Sequence, residues 1–299
     1  MIAIDLGSNT LRVVKRDCEK KEYIGDYEKI VRTADGLIDT GTISHAAIVR
    51  VIDAINEAKE KIDFDDFPLR AVTTEAIRSA KNSEEVLVRI KEETGINFEI
   101  ISGEEEARFT LLAVKYRLSR LHYASKNFVL ADIGGGSTEL IFYHDGEVVS
   151  RSFPIGILTM AQTYRDLETM QNALPDDLFP MEMFCTEMFA TKGEINSFVA
   201  TAGIPTTVAA IKLGQIYATY DASRVNGTML EADELDFYLK KLLAMPLEQR
   251  EEAVGTGRSD LIAAGILIFK HIFRLLSCHN CIVVDDGLRE GIALQECKE

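Results

Sequence analysis

Basic residues are in short supply: 33 lysines and arginines stand against 48 aspartates and glutamates, for a formal net charge of −15. That balance excludes general nucleic-acid binding, which relies on basic patches to neutralise phosphates. No stretch of the chain is long and apolar enough to span a bilayer, so no membrane partner is expected. The opening residues, MIAIDLGSNT, lack the basic region and small-residue cleavage site of a signal peptide, and they read as a strand that begins the fold at once. Cysteines are few, odd in number at 5 and mostly scattered, which suits a reducing cytoplasm better than a disulfide scaffold. Low-complexity segments and Pro/Ser-rich linkers are absent, and the 5 histidines show neither H-x-E nor H-E-x-x-H spacing. What is present is an ordinary globular balance of 46% hydrophobic and 27% charged residues over 299 positions, enough for two domains with sizeable cores.

Two stretches write the same idea twice. Ile2 to Val14 and Phe128 to Phe142 each place an apolar strand, an Asp, a Gly-rich turn with small hydroxyl residues, and a second apolar strand in that order. Each predicts a β-hairpin with an Asp and a glycine loop at its tip. Asp5 and Asp132 lie about 127 residues apart, too far for a solenoid repeat but suited to a duplicated domain. Asp145-Gly146 between β-rich runs predicts a two-residue turn, so each half is expected to open with an antiparallel meander.

Helical patterns follow. Ala47, Ile48, Val51, Ile52, Ile55 and Ala58 recur at helical spacing, with Ser44 placed to cap. Leu69–Thr73 reads as a strand, then a helix carries residues 76–80, and Phe98–Ile101 reads as another short strand. Ser102 as N-cap and Glu105 at the third helical position form a capping box, and Phe109, Leu112, Ala113 and Tyr116 supply that helix's apolar face to an end near Tyr123. Ala124 to Asn127 is the expected junction, dividing the chain into domains 1–125 and 126–299. Beyond it, helices are expected near 156–166, 176–195, 205–218, 231–243 and 258–276, with strands at 197–201 and 281–284 and a last helix. The alternation predicts an α/β protein.

A turn rich in Gly, Ser and Thr lets successive N–H groups converge on a phosphate oxygen, because glycine permits close approach and positive φ. An acidic residue just before such a loop can hold a magnesium ion, directly or through water. One such loop would mean little; two in the same residue order point to phosphate binding. Glu104 and Glu105 suit the first turn of a helix, where negative charge meets the helix dipole. Glu106 lies one turn in, where capping does not need it, and could take a proton from an attacking water; spacing alone leaves a purely structural role open.

The pieces AIDLGSNTLRVV (3–14), TTEAIRSAKN (73–82), ISGEEEAR (101–108), DIGGGSTEL (132–140) and DDGLREG (285–291) together resemble the exopolyphosphatase and guanosine pentaphosphate phosphatase family, within the actin-like, Hsp70 and sugar-kinase ATPase superfamily. The resemblance spans the chain and keeps the family's order. It implies two ribonuclease-H-like domains with an interdomain cleft, and Mg²⁺-dependent removal of the terminal phosphate from inorganic polyphosphate or guanosine pentaphosphate. It implies Glu106 as catalytic base, and Asp132 and Glu139 at the metal and water, with Asp5 in the matching first loop. Gly7, Ser8, Asn9 and Thr10 would cradle phosphate, as would Gly134, Gly135, Gly136, Ser137 and Thr138. Arg78 matches an arginine that reaches the phosphates, and Arg12 follows the first loop closely enough to do so. The acidic net charge must then be offset locally by backbone N–H groups, a few arginines and the cation. A homodimer is expected from family habit, and a cytoplasmic location from the cysteine usage.

Two departures stand out. The chain ends at Glu299, after the second domain, so it resembles the short two-domain branch. Thr201 to Thr207 replaces the Gly-Thr-rich turn of many relatives, with Pro205 well placed for a helix start. Among weaker features, Cys278 and Cys281 form one C-x-x-C, which cannot complete a tetrahedral zinc site. The apolar stripe of Met181, Met183, Phe184, Met188 and Phe189 suits helix core or a subunit contact. Arg258 and Asp260 suit an ion pair at least as well as a phosphate contact. Two rival functions remain: an ATP-dependent small-molecule kinase of the same superfamily, and a non-enzymatic sensor of guanosine tetra- or pentaphosphate.

Overall fold

A computed structural model describes residues 1–123, 126–164 and 166–298; Ala124 and Ser125 of the expected junction lie outside them. The chain forms two compact units, residues 1–113 with 287–299, and residues 114–286.

The first unit grows from the apolar run at the start of the chain. β1 (Ile2–Leu6), β2 (Thr10–Asp17) and β3 (Glu22–Ile30) form the expected antiparallel meander. Helices α1 (Leu37–Thr40) and α2 (His45–Lys61) then carry the chain over to β4 (Leu69–Thr73), which lies parallel to β1. A parallel neighbour cannot be reached by a tight turn, so a helical crossover is required. α3 (Glu75–Ser79) and α4 (Ser83–Thr94) make the same crossover to β5 (Phe98–Ile100). Among the described residues the sheet order is β3-β2-β1-β4-β5. The forecast for α2 holds in detail: Ser44 Oγ accepts from the Ala47 N–H at 3.2 Å, and all six expected apolar positions are buried.

α5 (Gly103–Arg120) passes from the first unit into the second. Its start is the expected capping box, with the Glu105 N–H donating to Ser102 Oγ at 3.2 Å and the Ser102 N–H donating to Glu105 Oε2 at 3.1 Å. Such a cap stabilises a helix by about 1 kcal/mol. The Ser102 amide and hydroxyl also hold the Glu105 carboxyl below its ordinary range.

The second unit repeats the plan. β6 (Asn127–Ile133), β7 (Thr138–His144) and β8 (Glu147–Phe153) form a meander. Its Asp145-Gly146 turn has φ of 48° and 96°, the doubly positive pair that a two-residue hairpin needs. α6 (Ile157–Thr163), α7 (Leu167–Asp177) and α8 (Phe179–Lys192) lead to β9 (Ser197–Thr201), and α9 (Gly203–Lys212) and α10 (Ala222–Val225) lead to β10 (Met229–Glu231). α11 (Glu234–Leu243), α12 (Leu247–Val254) and α13 (Ile262–Leu275) precede β11 (Asn280–Val283). The described sheet order is β10-β11-β9-β6-β7-β8. Without β10 at its edge this is the order of the first sheet, strand for strand, so the duplication read from the two glycine loops is a duplication of ribonuclease-H-like topology. Met181, Phe184 and Met188 of the apolar stripe are core, whereas Met183 is 52% exposed. Among the described residues no helix is long and apolar enough to cross a membrane.

The last helix, α14 (Leu288–Glu296), belongs to the first unit and not, as the expected 126–299 domain had it, to the second. Leu288, Ile292 and Ala293 complete a core with Met1, Ala3, Val14, Val72, Ile101 and Phe109. The helix meets the start of the chain through its apolar face, a match that linear position cannot reveal. Cys18 and Cys297, 279 residues apart, join as a disulfide, against the expectation from the odd and scattered cysteines, because the packing of α14 on the first unit brings them together. Gly291 lets α14 lie against α5, since a Cβ there would sit 1.9 Å from the Phe109 carbonyl oxygen. Gly291→Ala is therefore expected to force the two helices apart and destabilise the protein by about 2 kcal/mol or more. Urea unfolding measures this, and an unchanged midpoint would contradict the packing described.

Candidate functional site

Both glycine loops close in the same way. The Gly7 N–H donates to the Thr10 carbonyl at 3.0 Å, and the Gly134 N–H donates to the Ser137 carbonyl at 2.9 Å. Each turn joins two antiparallel strands, and each sets an acidic residue on the first strand opposite a polar one on the second. Asp5 pairs in register with Arg12, and Asp132 with Glu139.

In the first unit the loop is backed by the segment that follows β3. The Val31 and Arg32 N–H groups both donate to the Asn9 carbonyl at 2.9 Å, and the Ala34 N–H donates to the Ser8 carbonyl at 2.9 Å. Arg32 adopts φ of 49° to do so. These bonds tie the loop carbonyls to the body of the unit. Ser8 and Asn9 are buried at 4% and 5% exposure, and Asn9 Oδ1 has no hydrogen-bond partner, a costly state for a buried amide that a ligand donor would relieve. Thr73 Oγ1 donates to the Leu6 carbonyl at 2.8 Å, fixing the strand just before the loop.

Arg78 and Glu106, read from separate motifs, come together in this unit. Arg78 Nη1 donates to the Ile101 carbonyl at 2.7 Å, and Nη2 donates to Glu75 Oε2 at 2.6 Å. Nη1 stands 3.9 Å from Glu106 Oε2, too far for a hydrogen bond but within the range of an ion pair. The Glu106 side chain is 12% exposed. Arg12 lies on β2 beyond the loop, and its Nε donates to Glu28 Oε2 of β3 at 3.1 Å.

In the second unit the loop is held from behind by the turn into α6. The Ile157 and Leu158 N–H groups donate to the Gly134 and Gly135 carbonyls at 3.0 and 2.8 Å. The Thr138 hydroxyl donates to the Ile155 carbonyl at 2.6 Å. Thr138 is fully buried, so its hydroxyl supports the loop internally. Glu139, 1% exposed, accepts at Oε1 from the Ser152 hydroxyl at 2.6 Å. Neither Ser152 nor the 154–158 crossing stood out in the sequence; the only signal was Pro154 and Gly156 following a β-rich run. Asp132 and Glu139 thus form a carboxylate pair at a glycine-loop tip. Among the described residues no three His, Cys, Asp or Glu side chains gather as a metal cage. A two-carboxylate site suits magnesium all the same, because that ion keeps several waters and takes its remaining ligands from substrate phosphates.

The DDGLREG segment is structural in large part. Arg117 grips the buried Asp286 with two bonds, Nε to Oδ2 at 2.6 Å and Nη2 to Oδ1 at 3.1 Å. Glu290 Oε2 accepts from the Gly287 N–H at 2.9 Å, capping α14. The 201–207 turn survives as a strand-to-helix turn, with Ala202 at φ 69° and Pro205 in the first turn of α9. A Cβ on Gly203 would sit 3.8 Å from Arg258 Nη2, so that guanidinium lies beside the helix start. Cys281 is buried on β11, and burial pushes both its thiol and that of Cys278 upward. Neither behaves as a ready nucleophile.

The sequence pattern of the Ppx/GppA phosphatase family matches residues 13–299. Exopolyphosphatase 1 of Mycobacterium tuberculosis is 28% identical over 98% of this chain and 87% of its own length. The crystal structure of the Aquifex aeolicus member of the Ppx/GppA protein family is 31% identical, covers 99% of this chain and 96% of its own, and has a TM-score of 0.72. An exopolyphosphatase crystal structure from Cytophaga hutchinsonii shares the fold, with a TM-score of 0.85 at 22% identity and coverage of 99% and 97%.

The second loop offers a test of its support. A Cβ on Gly156 would lie 2.4 Å from the Gly135 carbonyl group and 2.6 Å from the Gly136 nitrogen. Gly156→Ala is expected to push residues 134–136 out of place, with faster hydrogen exchange across 134–138 and stability lower by about 1–3 kcal/mol. Unaltered exchange there would show that the loop does not rest on this crossing.

Proposed function

The chain belongs to the Ppx/GppA phosphatase family, and on that premise we propose that it hydrolyses the terminal phosphate of inorganic polyphosphate or guanosine pentaphosphate, with Glu106 as general base and Mg²⁺ as cofactor. The observation that carries the reading is the convergence, within the first unit, of Arg78 and Glu106 at 3.9 Å. A fixed cation and a largely buried carboxylate from two separate motifs support a reading in which one holds a phosphoryl group and the other activates water. The exopolyphosphatase named among the relatives supports polyphosphate as the first substrate to try.

Phosphoryl transfer needs positioning and charge neutralisation more than covalent chemistry. In this reading Glu106 accepts a proton from water as the water oxygen bonds to the terminal phosphorus. The bridging P–O bond then breaks, and the shortened chain leaves. Arg78, clamped by Ile101 and Glu75, presents its charge without swinging, so it is preorganised for the oxygens of the transferred group. The amides of Ser8 to Thr10 and of Gly135 to Thr138 bind phosphate oxygens, those of Gly7 and Gly134 being used in closing the turns, and each loop is stiffened by the carbonyl ties from 31–34 or 157–158. Asp132 and Glu139 would hold Mg²⁺, with Ser152 fixing one Glu139 oxygen. When bound, the ion neutralises charge on the phosphates.

The test is phosphate release from long-chain polyphosphate, short-chain polyphosphate and guanosine pentaphosphate, with and without Mg²⁺, for the wild type and Glu106→Gln. The substitution keeps the shape of the side chain and removes its basicity. Turnover is expected to fall by roughly 10²–10⁴-fold while the unfolding midpoint stays put. Equal turnover in the variant would reject the base assignment. Transfer from ATP to an acceptor without release to water would indicate a kinase, and tight guanosine pentaphosphate binding without hydrolysis a sensor.

A further inference from the structure

Cys18, just past the end of β2, and Cys297, just past the end of α14, are bonded together at a Cα–Cα distance of 5.2 Å. The other three cysteines, Cys185, Cys278 and Cys281, carry no disulfide. Both bonded residues are partly exposed, so a dissolved thiol can reach the bond. With Tyr23 they rim the core that α14 completes against Met1, Ala3 and Val14. Among the described residues, polar ties near the end of this helix include Arg70, which also pairs with Glu99, to Glu296 at 3.0 Å and Arg108 to Gln295 at 3.2 Å, both at the surface. The disulfide is thus the covalent fastening at the end of a helix whose buried face runs to Leu294.

We infer that Cys18 and Cys297 are a reversible thiol–disulfide site, a clasp that holds α14 on the first unit when oxidised and releases its end when reduced. In closing, the two thiols give up two protons and two electrons to a small-molecule disulfide, which becomes two thiols. In opening, an external thiolate attacks one protein sulfur to give a mixed disulfide and a protein thiolate. A second external thiolate then resolves the mixed disulfide, restoring the external disulfide. The bond joins positions 279 residues apart, so its loss frees a large number of conformations of the unfolded chain and lowers stability. The effect does not stop at α14. Gly291 abuts the Phe109 carbonyl, and Phe109 lies one turn beyond Glu106 on α5. Loosening that spreads from Cys297 back to Gly291 therefore weakens the backing of the helix that carries Glu106. Any consequence for turnover rests on the role proposed for Glu106; the clasp itself does not.

The full-length protein is incubated with oxidised glutathione or with dithiothreitol, then examined by thiol counting after denaturation and by hydrogen exchange with mass spectrometry. Three thiols are expected in the oxidised protein and five in the reduced one. On reduction, exchange in peptides covering 288–297 and the first half of α5 is expected to rise on the order of tenfold, with β6 unchanged. Cys297→Ser should match the reduced protein without reductant and should not respond to it. Five thiols after oxidation would overturn the inference. So would identical exchange in both states of the wild type, a measurement that stands even if the variant fails to fold. A reductant response that persists in Cys297→Ser would also overturn it.

Discussion

A single backbone hydrogen bond, from a glycine N–H to the carbonyl three residues on, sets the geometry of both loops. It turns each hairpin so tightly that the residues on either side stay in register, which puts Asp5 opposite Arg12 and Asp132 opposite Glu139. Side chains at paired positions of adjacent strands share a face. The turn therefore fixes both the amide-lined tip and the polar pair beneath it. In each unit a separate segment braces the turn by donating N–H groups to its carbonyls. With its carbonyls held, the loop cannot rotate its peptide planes without breaking those bonds. A loop so stiffened presents its backbone dipoles without reorganisation.

The second determinant is where the last helix goes. Residues 287–299 return to the unit that residues 1–113 begin, and the first unit's core is incomplete without Leu288, Ile292 and Ala293. Near that return the bidentate Arg117–Asp286 pair holds the chain just before α14 begins. Breaking such a pair leaves a buried charge uncompensated, a costly state. α5 depends on this arrangement, because Phe109 receives α14 backbone-to-backbone at Gly291. Glu106, one turn earlier, draws its position from the capping box at Ser102 and from that backing together.

What is legible along the chain depends on the range of the interactions. Local signals were read well: the capping box at Ser102, the cap at Ser44, the Asp145-Gly146 turn and the buried face of α2 depend on residues within a turn or two. Where periodicity was diluted, boundaries slipped. The expected helix at 205–218 stops at Lys212, where Gly214 takes φ of 73°. The helix expected at 176–195 begins only at Phe179 and is preceded by α7, with Pro175 near its end. Contacts far apart in sequence were not legible. Nothing local marks Ser152 as the donor to Glu139, Arg117 as the partner of Asp286, or residues 31–34 as the brace of the first loop.

By itself, the sequence determined the α/β class, the duplication, the two glycine loops with their acidic residues, and the family, because motif composition and short-range hydrogen-bonding chemistry are written along the chain. The tertiary structure alone decided that the last helix closes the first unit, that Cys18 meets Cys297, that Arg78 stands beside Glu106, and that the Thr138 hydroxyl serves its own loop. Those pairings are set by how apolar faces pack in three dimensions, and packing joins positions whose separation along the chain says nothing of their distance in space.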